Sequence, residues 1–123
     1  MSLIVYLAVP YSDPSPDVRA ARAAAADMAL AHISRTGQLV YSPISHSHNA
    51  AEKHGLPTEY EYWAKHCEAF VTICSSMIVL AIEGHDRSIG VAAEVALARR
   101  QGKWVEWMTM ADLGLEEAEQ WRR

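Results

Sequence analysis

The segment "DRSIGVAAEVALARRQGK", Asp86 to Lys103, carries one carboxylate, Glu94, among Gly90, Val91, Ala92, Ala93, Val95, Ala96, Leu97 and Ala98. On a helix its neighbours three and four positions away are Gly90, Val91, Leu97 and Ala98, so the helix itself offers Glu94 no cationic partner. Arg99 and Arg100 read as a solvated pair near the helix C-terminus. Spacing leaves two readings of Glu94 open. It lies on an exposed strip as an ordinary solvated glutamate, or it is partly buried without a salt partner and is then a candidate nucleophile or base.

The helix carrying Glu94 is expected to begin near Ser88, directly after a strand. That places its free amides at the carboxyl edge of a parallel sheet, where open α/β sheets bind ligands. Ser88 suits the N-cap, Gly90 would let a ligand approach the backbone, and the amides at the positive dipole end suit a phosphate or another anion. His85 and Asp86 stand just before this helix, and Asp86 is a candidate substrate contact. Ser12, in the loop after the first strand, is a further candidate for a phosphate. Pro10 and Tyr11 beside it are expected to converge with Tyr6, Ser88, Gly90 and Glu94 at the strand ends.

The elements that must position these groups alternate between short apolar runs and longer helical patterns, the mark of βα units and a parallel sheet. Leu3 to Ala8 reads as a strand covered on both faces. Ser15, Pro16 and Asp17 open an alanine-rich helix that runs to about Arg35 and closes at Gly37. Gln38 to Ser42 is a short second strand, and "PISHSHNAAEKHGLP" reads as a long polar connection. Thr58 and Glu61 form a capping-box pattern for a helix bearing Trp63, Cys67, Phe70 and Cys74. Met77 to Ile82 and Trp104 to Trp107 are the third and fourth strands, and an amphipathic helix from about Leu115 to Arg122 ends the chain. The expected fold is a single three-layer α/β domain over residues 1–123, flavodoxin-like or Rossmann-like, with about four or five parallel strands.

Composition narrows the partners. A formal charge of −4 over 123 residues gives no basic field to hold a polyanion, so a small molecule is expected rather than nucleic acid. The N-terminus has no basic region, and its apolar run is too short to span a bilayer, so no membrane partner and a cytoplasmic location are expected. Cys67 and Cys74 fit neither a disulfide framework nor a zinc knuckle and read as free thiols. His46, His48 and His54 lack a carboxylate or cysteine partner in the pattern and read as polar surface, so neither metal nor cofactor is expected. Tyr41, Tyr60, Tyr62 and Trp63 suit either a core face or stacking on a base. Trp104 and Trp107 would fit a subunit interface, and a small chain with apolar helices suits a homo-oligomer.

The order of "VYLAVPYS", "SIGVAAEVALA" and "GKWV" resembles the nucleoside 2-deoxyribosyltransferase superfamily across most of the chain. Ser88, Gly90, Glu94, Ala98, Gly102 and Lys103 fit that superfamily's order. Closer still are small bacterial proteins of unknown function with "YLA-PYS" and "S-GV--E". The resemblance implies that Glu94 is a nucleophile, that Tyr6 touches it, and that a second acid falls at Glu68; Glu61, seven residues earlier on the same helix face, and Asp86 are the alternatives for that acid. Two positions depart from the pattern: Glu68 stands where Asp is common, and Val9 where a Gly follows the first strand. Serine at position 88 is similar to the 2'-deoxynucleoside 5'-monophosphate N-hydrolases, which implies a phosphate on the substrate.

The implied chemistry needs these residue types. Breaking an N-glycosidic bond passes through an oxocarbenium-like state that a carboxylate beneath the anomeric carbon can trap covalently. A second acid would protonate the leaving base, and a tyrosine hydroxyl would hold the nucleophile in one rotamer. Water as acceptor makes a hydrolase, and a second base makes a transferase. The alternative on the same fold is a nucleotide-binding or interaction module without turnover.

Overall fold

The computed structural model describes residues 3–115. Four parallel strands, β1 (Ile4–Ala8), β2 (Leu39–Tyr41), β3 (Ser76–Leu80) and β4 (Trp104–Met108), lie in the order β2-β1-β3-β4. Four helices connect them: α1 (Pro16–Arg35), α2 (Pro43–His54), α3 (Tyr60–Ile73) and α4 (Ile89–Arg100), with a single 3-10 turn at His85–Arg87. This is the three-layer, flavodoxin-like arrangement, whose strand order reverses between β1 and β3. The helix expected near the C-terminus falls, from residue 116 on, outside the described residues.

Side-chain alternation along β1 builds the layers. Leu7 and Val9 point to one face and join Ala25, Ala26, Ala29 and Ile33 of α1 with Leu80, Ile82, Met110 and Leu113. The small alanines let α1 lie close to the sheet, which explains why an alanine-rich helix with little amphipathic contrast is still a core helix. Tyr6 and Ala8 point to the other face, against Val71 of α3 and Val91, Val95 and Ala98 of α4. Tyr6 pairs in register with Tyr41 of β2 on one side and Met77 of β3 on the other, so it sits in the middle of the sheet. Edge strand β4 leaves Trp104 and Trp107 exposed, with the Arg99 guanidinium 5.2 Å from the Trp107 ring centre.

The helix starts follow the sequence at two places and depart at two. Ser15 and Ser88 cap α1 and α4 through their hydroxyls, accepting from the amides of Val18 at 3.4 Å and Val91 at 3.1 Å. The stretch read as a long polar connection is instead helix α2, capped by Ser42, with Pro43 in its first turn and left-handed Gly55 at its end. The capping box at Thr58 does not form, because α3 begins at Tyr60 with Glu59 at the cap and no side-chain cap hydrogen bond. The Thr58 carbonyl instead accepts from Ser12 Oγ at 2.7 Å, which ties the β1–α1 loop to the approach of α3.

A buried arginine ties two more loops together. Arg22 of α1 donates to the carbonyls of Tyr11 at 3.4 Å and Ser12 at 3.2 Å, and to the Glu83 carbonyl and carboxylate, both at 3.5 Å. Its Nε is the one buried side-chain nitrogen or oxygen without a partner among the described residues. Gly84 passes over this guanidinium at φ +95°, and a Cβ there would overlap Arg22 Nη2. Gly84→Ala is therefore expected to destabilise the fold by about 2–3 kcal/mol, combining left-handed strain with displacement of a buried guanidinium. Urea unfolding would check this, and an unchanged midpoint would contradict it.

Candidate active site

The β1–α1 loop, helix α2 and the N-terminal ends of α3 and α4 enclose a cavity of about 290 Å³ at the carboxyl edge of the sheet. That is close to the lower end of small-molecule sites, about 300–1,000 Å³. Chain geometry explains who lines it. The loop after β1 supplies Val9, Tyr11 and Ser12, and α2 lays Pro43, Ile44, Ser47 and Ala51 across one side. The first two turns of α3 bring Tyr60, Trp63, His66 and Cys67, at spacings that share one helical face. The N-terminus of α4 closes the other side with Arg87, Ser88, Ile89, Gly90 and Glu94.

Glu94 faces inward. It is 5% exposed, its carboxylate accepts a hydrogen bond from the Tyr6 hydroxyl, and no salt bridge to it is formed among the described residues. Burial pushes its carboxyl up to about 7, against the Tyr6 hydroxyl and the nearby Cys67 thiol, which favour the charged form and pull it down. The solvated-glutamate reading is thereby removed. Tyr6 is fully buried, and burial followed by the Glu94 charge keeps it protonated far above the usual tyrosine range. Cys67, also buried, is pushed up to about 12 by desolvation and then by the Glu94 charge, so it stays a neutral thiol. Both groups are thus proton-bearing neighbours of one carboxylate.

Of the other sequence candidates, Tyr11, Ser12, Ser88 and Gly90 line the cavity with Glu94. Pro10 is buried just behind Tyr11 and is not on the lining. Glu68 is a correction: it is exposed and does not line the cavity, because it shares a helical face with Glu61 but sits two turns further along α3, past the mouth. Glu59 and Glu61, at the start of α3, are the acidic residues that line the mouth besides Glu94. Asp86 is a second correction, since it is exposed, pairs with Arg87 at 3.4 Å and lies outside this cavity. Gly90 serves a different contact from the one expected. A Cβ there would stand 2.9 Å from Cδ1 of Tyr60, so the missing side chain admits the Tyr60 ring rather than a ligand.

The histidines are placed by α2, which sequence reading missed as a helix. His48 Nδ1 lies 2.6 Å from the Tyr11 hydroxyl, and His46 stacks on His66 at 5.1 Å between ring centres. Tyr60 and Trp63 line the cavity, whereas Tyr62 is exposed and Tyr41 stacks on Phe70 at 4.1 Å. Burial, with His46 alongside, holds His66 below the usual histidine value. Among the described residues, no group of three or more His, Cys, Asp or Glu side chains could hold a metal ion. No helix of the described residues is long and apolar enough to cross a membrane.

A family model described as Domain of unknown function (DUF1937) matches residues 3–110. The chain belongs to the DUF1937 family. No curated protein matches it. The β1–α1 loop, α2, the start of α3 and the start of α4 all fall inside the matched span, so the cavity and the Tyr6–Glu94 pair belong wholly to the DUF1937 domain.

Proposed function

We propose that this DUF1937 domain cleaves or transfers at the N-glycosidic bond of a deoxynucleoside or, preferentially, a deoxynucleoside 5'-monophosphate, with Glu94 as nucleophile. The observation that carries this reading is a buried carboxylate without a cation, oriented by the Tyr6 hydroxyl, on the wall of a cavity of small-ligand size. Such a carboxylate attacks the anomeric carbon and divides one hard displacement into two easier ones. Tyr11, Tyr60 and Trp63 offer aromatic surface for the base. Ile89 and Gly90 head α4 with amides that have no intrahelical acceptor, and Arg87 and Ser88 stand beside them, which suits a phosphate.

The test is incubation with deoxynucleosides and their 5'-monophosphates, with released base measured by chromatography. Release is expected, faster from the monophosphates, and Ser88→Asp should erode that preference by placing like charge beside the phosphate. Binding without release from any substrate would replace this reading with a nucleotide-binding module.

The raised carboxyl of Glu94 sets a pH dependence. The nucleophile is the ionised form, so kcat/KM on 4-nitrophenyl 2-deoxyriboside 5-phosphate, whose leaving group departs without a proton, should rise with pH through about 7. Tyr6→Phe removes a hydrogen bond that favours the charged form, so the rising limb should move to higher pH. A limb that stays in place or moves to lower pH would show that Tyr6 does not tune Glu94.

A further inference from the structure

Glu68 is turned away from the cavity, and Glu59 and Glu61 are exposed at its mouth, so the donor to a departing base is sought on the inner wall, which holds one. His66 lines the cavity one residue before Cys67. Its ring is fixed on several sides: His46 stacks at 5.1 Å, Phe70 lies 4.9 Å away, and Trp63 stands edge-on at 5.9 Å. The Tyr41 hydroxyl holds Nε2 at 2.9 Å. Nδ1 has no hydrogen-bond partner among the described residues, and it is not a buried orphan, since that description fits Arg22 Nε alone. Nδ1 is therefore open to solvent while the ring cannot turn freely. An imidazole anchored through one nitrogen and open at the other, in a cavity whose wall also carries a buried carboxylate, has the arrangement of an acid–base pair.

We infer that His66 is the general acid that protonates the leaving base, a role that rests on the N-glycosidic reading above. In the first step the C1'–N bond breaks and its electron pair goes to the base. The imidazolium proton on Nδ1 passes to a ring nitrogen or oxygen of that base, and a Glu94 carboxylate oxygen bonds to C1'. In the second step water displaces Glu94 from C1' and returns a proton to Nδ1, so atoms and charge balance. A His66 that ionises below the usual value is less often protonated at neutral pH but is a stronger donor when it is, and the two effects oppose each other.

The test separates proton donation from nucleophilic attack by varying the leaving group. Base release from the common deoxynucleoside 5'-monophosphates is compared with nitrophenolate release from 4-nitrophenyl 2-deoxyriboside 5-phosphate, whose leaving group departs without a proton. His66→Gln is expected to slow base release on the order of 10²-fold or more and to leave nitrophenolate release within about threefold of wild type. Glu94→Ala should silence both. His66→Asn serves if His66→Gln fails to fold, with circular dichroism as the check. Equal slowing on both leaving groups, or no slowing on either, overturns the role of His66 while leaving that of Glu94 intact. A wild type silent on every substrate, or a Glu94→Ala protein as fast as wild type, removes the N-glycosidic reading and this one with it.

Discussion

Glu94→Ala is expected to abolish base release, with a loss on the order of 10³-fold or more, equivalent to several kcal/mol in barrier. Glu94→Gln should lose nearly as much, since an amide keeps the shape of the carboxylate and cannot form the glycosyl ester. The fold should survive both changes. Glu94 has no salt-bridge partner to leave behind, and alanine is the best helix former for the second turn of α4. The cost lies in Tyr6, whose buried hydroxyl loses its acceptor in the alanine variant, a loss of about 1–3 kcal/mol that the glutamine variant avoids. Base release by chromatography, read beside a thermal melt of each variant, checks both halves of this expectation. Wild-type rates in Glu94→Gln would remove the nucleophile.

The second large effect runs in the opposite direction. Glu94→Gln should make the protein more stable than wild type above about pH 7, by about 3 kcal/mol. The sign follows from proton binding. Burial raises the Glu94 carboxyl from 4.5 to about 7, so between those values the folded chain holds a proton that the unfolded chain has released. Wild-type stability therefore falls as pH rises across that window, and the full penalty of a buried ionised carboxylate is present above it. Glutamine carries no such penalty, so the gap between variant and wild type should open from about pH 4.5 to about pH 7 and then level off. Urea unfolding at pH 5 and pH 8 would measure it. Equal stabilities at pH 8 would mean that Glu94 is solvated, contrary to its burial.

Much of the frame was readable from local pattern, because parallel strands covered on both faces are continuous apolar runs. β1 and β3 lie close to their expected ranges for that reason, as do the serine caps of α1 and α4. Helix α2 escaped because its exposed residues, His46, Asn49, Glu52 and Lys53 among them, look like a loop by polarity. The punctuation was nevertheless present: Ser42 as cap, Pro43 in the first turn and Gly55 past the end. The burial of Glu94 was not decidable from spacing, since its partner Tyr6 lies 88 residues away on a central strand. Cys67 and His66 were passed over for a related reason. Only the pairing of α3 with α4 across the β1–β3 face brings the helical face of Tyr60, Trp63 and Cys67 to the same cavity as Glu94.

The most direct test of Glu94 as nucleophile is the mass of the protein during turnover. Wild-type protein is quenched in acid within the first turnovers on a deoxynucleoside 5'-monophosphate, then analysed intact and after proteolysis. The account predicts an adduct of one deoxyribosyl phosphate on the peptide that contains Glu94, absent from Glu94→Gln and lost when substrate is exhausted. Base release with no adduct on that peptide, or an adduct that persists at another residue in Glu94→Gln, would contradict it.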